Sequence, residues 1–108
     1  MHAEIQIGDS RIMLSGEWPD MGSKSPKAYG GSPASLHIYV KDVDAAYKRA
    51  VAAGAKEKQP VTDMFWGDRY GQVVDPSGHV WAIATHVRDV SPEEIRRGAQ
   101  EFFAHSNR

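Results

Sequence analysis

SLHIYVKDVDAAYKRAVAAGAKEKQPVTDMFWGDRYGQVVDPSGHVWAIAT, residues 35–85, is the stretch whose reading decides the fold. It opens with alternation: Leu36, Ile38 and Val40 fall on one side and Ser35, His37 and Tyr39 on the other, the period of a half-buried strand. Asp42 then supplies a carboxylate for the free amide hydrogens of a first helical turn, and Asp44 adds negative charge where the helix dipole favours it. Val43, Ala46, Tyr47, Ala50 and Val51 recur at three- and four-residue spacing, so the helix carries an apolar stripe suited to the Leu36-Ile38-Val40 face. Gly54 ends it, as the residue that enters the left-handed region without strain. A short strand is predicted near residues 55–58 and a loop with exposed aromatics over 60–67. Strands at 69–74 and 79–85 follow, joined by the tight turn Asp75-Pro76-Ser77-Gly78. The order is β-α-β-β-β, an α+β unit whose curved sheet can wall a small-molecule pocket. With the apolar side of the first strand given to the helix, Ser35, His37 and Tyr39 are predicted to look into the concavity.

Outward from this unit, His2–Ile7 and residues 11–15 alternate on either side of Gly8-Asp9, a pair that closes hairpins. A hairpin is therefore predicted over residues 1–16. Residues 17–34 are rich in Gly, Ser and Pro without a sustained period and read as a mobile linker loop carrying Trp18, Met21 and Tyr29. The βαβββ unit occupies 35–87. Beyond it, Ser91-Pro92-Glu93-Glu94 combines a serine cap, proline at the first helical position and glutamate at the capping-box site, which predicts a helix over 91–105. Its stripe of Ile95, Ala99, Phe102 and Phe103 predicts docking on the body or on a second subunit. One domain, 1–108, accounts for the whole chain.

Composition removes several functions. With 13 basic against 14 acidic residues, alternating in sign along the chain, there is no basic patch for nucleic acid or for an anionic membrane. No stretch has membrane-spanning length. Absence of cysteine removes disulfides, thiolate nucleophiles and sulfur-ligated zinc together. The start, Met1-His2-Ala3-Glu4, lacks the apolar run of a secretory leader, and a cytoplasmic location is expected.

Three phrases carry a family resemblance: residues 35–46 (SLHIYVKDVDAA), 65–71 (FWGDRYG) and 75–81 (DPSGHVW). They resemble the glyoxalase, bleomycin-resistance and extradiol-dioxygenase superfamily with the vicinal-oxygen-chelate fold, and among its branches the PhnB-like one. That resemblance implies two βαβββ modules around a cleft with a curved mixed sheet. This chain is similar to the last two strands of a first module, a linker, a whole second module and a C-terminal helix. The first strand, helix and second strand of the first module are not represented in it. A sheet edge and an apolar face would then lie open, so a homodimer is expected, with exchanged elements as one form of it. The superfamily's enzymes hold a metal with His and Glu on inward strand positions, and matching the three phrases places ligand positions at Met13, Ser35 and Ala82. A thioether, a neutral hydroxyl and a methyl group do not supply the donors a divalent cation needs. No metal at the family site and no cofactor are therefore expected.

The remaining candidates each have two readings. His37, on the inward face, either hydrogen-bonds a ligand or acts as a base near neutral pH, or else is a half-buried histidine tied to a neighbouring strand. His2 and Glu4 share a strand face as a half-built metal pair or as ordinary solvated polar positions. Trp66, Asp68 and Arg69 form either a clamp for an anionic or planar ligand or a local salt bridge that pins the loop. Trp18, Tyr29, Phe65 and Trp66 either stack on a ligand or cover the core and a contact surface. The expected function is small-molecule binding without nucleic-acid or membrane partners, with Met13, Ser35, His37, Tyr39, Trp66, Asp68, Arg69 and Ala82 around the cleft. The competing expectation is a lyase, isomerase or dioxygenase with a shifted metal, or metal-free acid–base chemistry through His37 or Asp68.

Overall fold

The computed structural model describes residues 2–18, 20 and 22–106. Strands β1 (His2–Ile7) and β2 (Ser10–Ser15) form the expected antiparallel hairpin, turned at Gly8 with φ +58°. Ile5 lies opposite Ile12 and Ala3 opposite Leu14, which places these side chains on one face. Glu4 opposes Met13 and Gln6 opposes Arg11 on the other face. Within the linker, a 3-10 turn at Pro26–Tyr29 ends on Gly30, and Trp18 bridges to Ser23. Met21 lies outside the described residues, as does the side chain of His2.

The second sheet is built from β3 (Ser35–Tyr39), β4 (Lys56–Asp63), β5 (Asp68–Val74) and β6 (Val80–His86), with α1 (Val43–Ala52) between β3 and β4. Its order is β3-β6-β5-β4. β3 runs parallel to β6, whereas β5 is antiparallel to both its neighbours. Parallel pairing needs a crossover, and α1 with β4 and β5 supplies it. The helix begins as the sequence predicts: Asp42 Oδ1 accepts from the Ala45 amide at 3.2 Å. It ends in a Schellman pair, Gly54 N–H to Val51 O and Ala55 N–H to Ala50 O, with Gly54 at φ +119°. Val43, Tyr47, Val73 and Ile83 make the core, with Ile38, Val40, Val61 and Trp81 packed around them. Of the predicted apolar strand face, Leu36 alone departs, remaining 38% exposed.

Two expectations are corrected. β4 does not stop near residue 58 but continues through Pro60 to Asp63. It is an edge strand whose register shifts between Glu57 and Gln59 and again between Gln59 and Thr62, the irregular setting in which a strand tolerates proline. The intervening turn is consequently short, and its aromatics Phe65 and Trp66 are half-buried, with Met64 buried beside them. Tyr47 reaches this irregularity from the helix, its hydroxyl lying 3.0 Å from Gln59 O and 3.2 Å from Gln72 O.

The predicted turn between β5 and β6 forms around one side chain. Asp75 Oδ1 accepts from the amides of Ser77 and His79, and Asp75 Oδ2 from the Trp81 indole at 2.9 Å. Helix α2 (Pro92–Ser106) starts on Ser91, whose Oγ accepts from the Glu94 amide. It docks on the body: a Cβ at Gly98 would meet Phe65 at 2.5 Å, and the rings of Phe65 and Phe102 stand 5.7 Å apart.

Candidate functional site

The face of the second sheet turned away from α1 is set by register. His37 pairs with Ala82 and Ala82 with Gln72; Tyr39 pairs with Ala84 and Ala84 with Tyr70; Asp68 pairs with His86. Direct cross-strand partners share a face, so these residues stand together. Ala82 and Ala84, 1% and 0% exposed, form a low floor between larger side chains on β3 and β5. Above that floor runs a continuous array of rings. His37 lies 5.1 Å from Tyr39 and 5.7 Å from Tyr70, both tilted, and Tyr70 meets Trp66 edge-on at 5.6 Å. Gln72 Nε2 donates to Tyr70 Oη at 2.6 Å and fixes that ring from below.

Both ends of the array, Tyr39 and Trp66, are tied to one buried carboxylate. Asp68 is 2% exposed, and its Oδ2 accepts from Tyr39 Oη at 2.7 Å and from Trp66 Nε1 at 3.0 Å. Its Oδ1 faces His86 Nδ1 at 3.1 Å, and His86 Nε2 faces Asp89 Oδ1 at 2.7 Å. Burial pushes the Asp68 carboxyl up, but the hydrogen bonds from Tyr39, His86 and Trp66 outweigh it and hold the group below the ordinary carboxylate range. His86 moves the other way: hydrogen bonds to Asp89 and then to Asp68 raise it above the ordinary imidazole value. The Tyr39 phenol is raised by its bond to the same carboxylate.

The sequence-predicted residues divide into three groups. His37, Tyr39, Trp66, Asp68 and Ala82 come together on the open face. Met13, 70% exposed, and Ser35 meet instead in a cleft of about 500 Å³ between the hairpin and the start of β3, lined also by Ile5, Leu36 and Trp81. Arg69 joins neither. Strand alternation turns it to the helix side, where Nε and Nη2 bind Asp44 at 2.8 and 3.0 Å and Nη1 reaches Asp63 at 3.2 Å. The guanidinium holds the Asp44 carboxyl below its usual range. Of the two readings of Asp68 and Arg69, the clamp does not describe them, because adjacent strand residues face opposite ways; Arg69 does make a local ion pair across the β4–β5 turn, but with Asp63 and not with Asp68. Asp68 is likewise enclosed, so its carboxylate is not presented to solvent as a clamp would be.

His37 is not tied to a neighbouring strand: it is exposed and makes no hydrogen bond among the described residues, its ring resting on two tyrosines. Phe65 faces α2. Trp18 and Tyr29 stay exposed on the linker, Tyr29 beneath Lys24 Nζ at 5.8 Å. Glu4 pairs with Arg11 at 3.5 Å. Tyr70, Gln72 and His86 were not read from the sequence as site residues. The parity of β5 was the available signal, since Tyr70 and Gln72 follow Asp68 at steps of two.

The family's metal positions do not fit a cation. Met13 lies on the hairpin, away from the floor that Ala82 forms, and no donor at Met13, Ser35 or Ala82 is an imidazole or carboxylate. Among the described residues, no group of three or more His, Asp and Glu side chains is arranged to hold an ion. Among the described residues, no helix is long and apolar enough to cross a membrane.

A family model described as Glyoxalase/Bleomycin resistance protein/Dioxygenase superfamily matches residues 1–83. An uncharacterized Mycobacterium bovis protein, Mb0911c, is 43% identical over 99 residues, covering 89% of this chain and 65% of its own. An uncharacterized Mycobacterium tuberculosis protein, Rv0887c, is 43% identical over the same length, covering 89% of this chain and 58% of its own. This chain thus spans between 58% and 65% of the length of these curated relatives. Among solved structures, the crystal structure of TioX from Micromonospora sp. ML1 superposes with a TM-score of 0.57 at 28% identity, covering 80% of this chain and 68% of that one.

Proposed function

The chain belongs to the glyoxalase/bleomycin resistance protein/dioxygenase superfamily, and within it we propose a small-molecule binding protein that captures a flat aromatic ligand on the open face of its second sheet. The observation that carries this reading is the unbroken array Tyr39, His37, Tyr70 and Trp66 above a floor of alanines. The rings close over the alanines, which are 1% and 0% exposed, and the outer surface of the array is the open trough on which a planar group gains stacking contact, of order 1 kcal/mol per ring beyond area burial. His37 and the Tyr70 hydroxyl offer polar contacts at its rim.

Catalysis of the metal-dependent kind finds no support in the donor set described above. Metal-free acid–base chemistry through Asp68 finds little, because both carboxylate oxygens are occupied and the group is enclosed. Fluorescence titration of the three tryptophans with bleomycin, with proflavine as a flat probe, and with methylglyoxal as a small dicarbonyl tests the reading. Saturable quenching by a flat compound, weakened in Tyr70→Ala and accompanied by no turnover, is expected. Turnover of methylglyoxal that depends on added Mn²⁺, Ni²⁺ or Zn²⁺ overturns it.

We propose also that two copies associate. The outer edge of β3 pairs with no strand among the described residues, and Ile5, Leu14 and Leu36 remain exposed around the hairpin cleft. Sedimentation at high dilution tests this, and a well-folded monomer removes it.

A further inference from the structure

Asp68 does not face the trough as a ligand-binding group, yet it touches both ends of it. Tyr39 begins the ring array on β3 and Trp66 ends it on the turn before β5, and a single oxygen, Asp68 Oδ2, accepts from both. The other oxygen is held by His86, which is held in turn by Asp89. Resting on the reading of the trough as the ligand site, we propose that Asp68 is the positioning residue that fixes the spacing of the platform's two end rings, and that His86 makes this fixation responsive to pH.

Only an ionised carboxylate accepts from all three donors at once. A protonated acid or an amide leaves one oxygen accepting from Tyr39 and Trp66 without the negative charge and makes the other position a donor, so the bond from the His86 N–H must reverse or be lost. His86 faces two carboxylates, and only the imidazolium donates through both nitrogens. A neutral imidazole keeps one N–H and must turn a lone pair toward Asp68 or Asp89. Asp89 is on the solvent side and readily rehydrated, so the remaining N–H stays on the enclosed Asp68 carboxylate, but as a neutral donor: the charge that strengthened that bond is gone. The other groups facing this corner are the Tyr39 phenol and Lys41, which lines the same cleft from the end of β3; the Arg69 cation lies on the opposite face of the sheet.

The signs follow from the two directions of shift. Asp68 is held below its ordinary value, so its contribution is present above the unfolded pKa and is lost as pH falls through the folded one. His86 is held above its ordinary value, so its contribution is complete below the unfolded pKa and is lost as pH rises through the folded one. Between these limbs the end rings are pinned.

The test uses the ligand-free protein first. The Trp66 indole N–H is followed by proton–nitrogen NMR from pH 5 to 9, with Trp18 and Trp81 as internal controls. In the wild type it is expected to titrate on the alkaline side of about 6.5, the ordinary imidazole value. In His86→Gln, an exposed substitution that leaves the fold intact, that titration is expected to vanish. In Asp68→Asn the resonance is expected to move at all pH values, and proflavine affinity to fall about tenfold, the loss of one charge-assisted hydrogen bond. A Trp66 signal that titrates identically in wild type and His86→Gln overturns the proposal, whether or not Asp68→Asn folds. If Trp66 behaves as expected but no flat probe binds, the pinning stands and the reading of the trough as a ligand site fails.

Discussion

Tyr47→Phe removes one oxygen atom and tests whether the helix holds the irregular edge of the sheet. The hydroxyl sits 3.0 Å from Gln59 O and 3.2 Å from Gln72 O, but it owns a single proton, so the pair counts as one shared hydrogen bond. A net hydrogen bond contributes about 1 kcal/mol, and the part-buried carbonyls left behind regain little water, which places the expected loss at about 1–1.5 kcal/mol. In a domain of this size that lowers the melting temperature by about 4–8 °C. Urea unfolding followed by circular dichroism is the assay, with an unchanged m-value expected because the core rings remain packed. A second signature comes from pH. Burial, and after it the nearby Glu57, raises the Tyr47 phenol, so its contribution is complete below the unfolded value of about 10 and is lost as pH rises through the folded one. The stability gap between wild type and variant is therefore expected to hold constant to about pH 9.5 and to narrow above it. Tyr39, also raised, is present in both proteins and cancels. Equal stability of the two proteins at neutral pH refutes the reasoning, and so does a gap that widens in alkali.

Arg69→Ala is expected to leave flat-probe affinity unchanged in fluorescence titration, since its guanidinium lies on the helix side of the sheet, and to cost under about 1 kcal/mol in urea unfolding as a half-exposed ion pair. Gly78→Ala is expected to cost about 1–2 kcal/mol by the same assay: φ is +95°, and a Cβ there would press on Lys27 and Pro26 at 3.1–3.2 Å. Asp42→Ala is expected to lose about 1 kcal/mol through the Ala45 amide it caps, seen as fraying of α1 in hydrogen exchange.

Much of the fold was legible because its signals are local. Asp42, Gly54, Ser91 and the Asp75 turn each act within a few residues of themselves, and all four sit where the sequence put them. What failed was β4, where Pro60 looked like the end of a strand. Only tertiary context makes it acceptable there, since an edge position and a bulge braced by Tyr47 excuse the missing donor. At the site, alternation on β3 correctly paired His37 with Tyr39. On β5, Asp68 and Arg69 were grouped as sequence neighbours although a strand turns them apart, and the parity that joins Asp68 to Tyr70 and Gln72 went unused. His86 was invisible for a different reason: its partners Asp68 and Asp89 belong to another strand and a following loop, and no spacing announces a meeting across β5 and β6.

The trough straddles two kinds of connectivity. Tyr70 and the alanine floor belong to β5 and β6, neighbours joined by five residues, with Trp66 on the turn that leads into β5, while His37 and Tyr39 sit on β3, whose parallel mate lies some 45 positions further along the chain, as in Ser35 with Val80. Closing that long span costs more chain entropy than closing the hairpin, so β3 should be the last strand to zip up and the first to peel away. Half of the ring array therefore lives on the least firmly anchored strand of the sheet. A ligand bridging both halves would act as a clasp, slowing amide exchange along β3 more than anywhere else in the molecule.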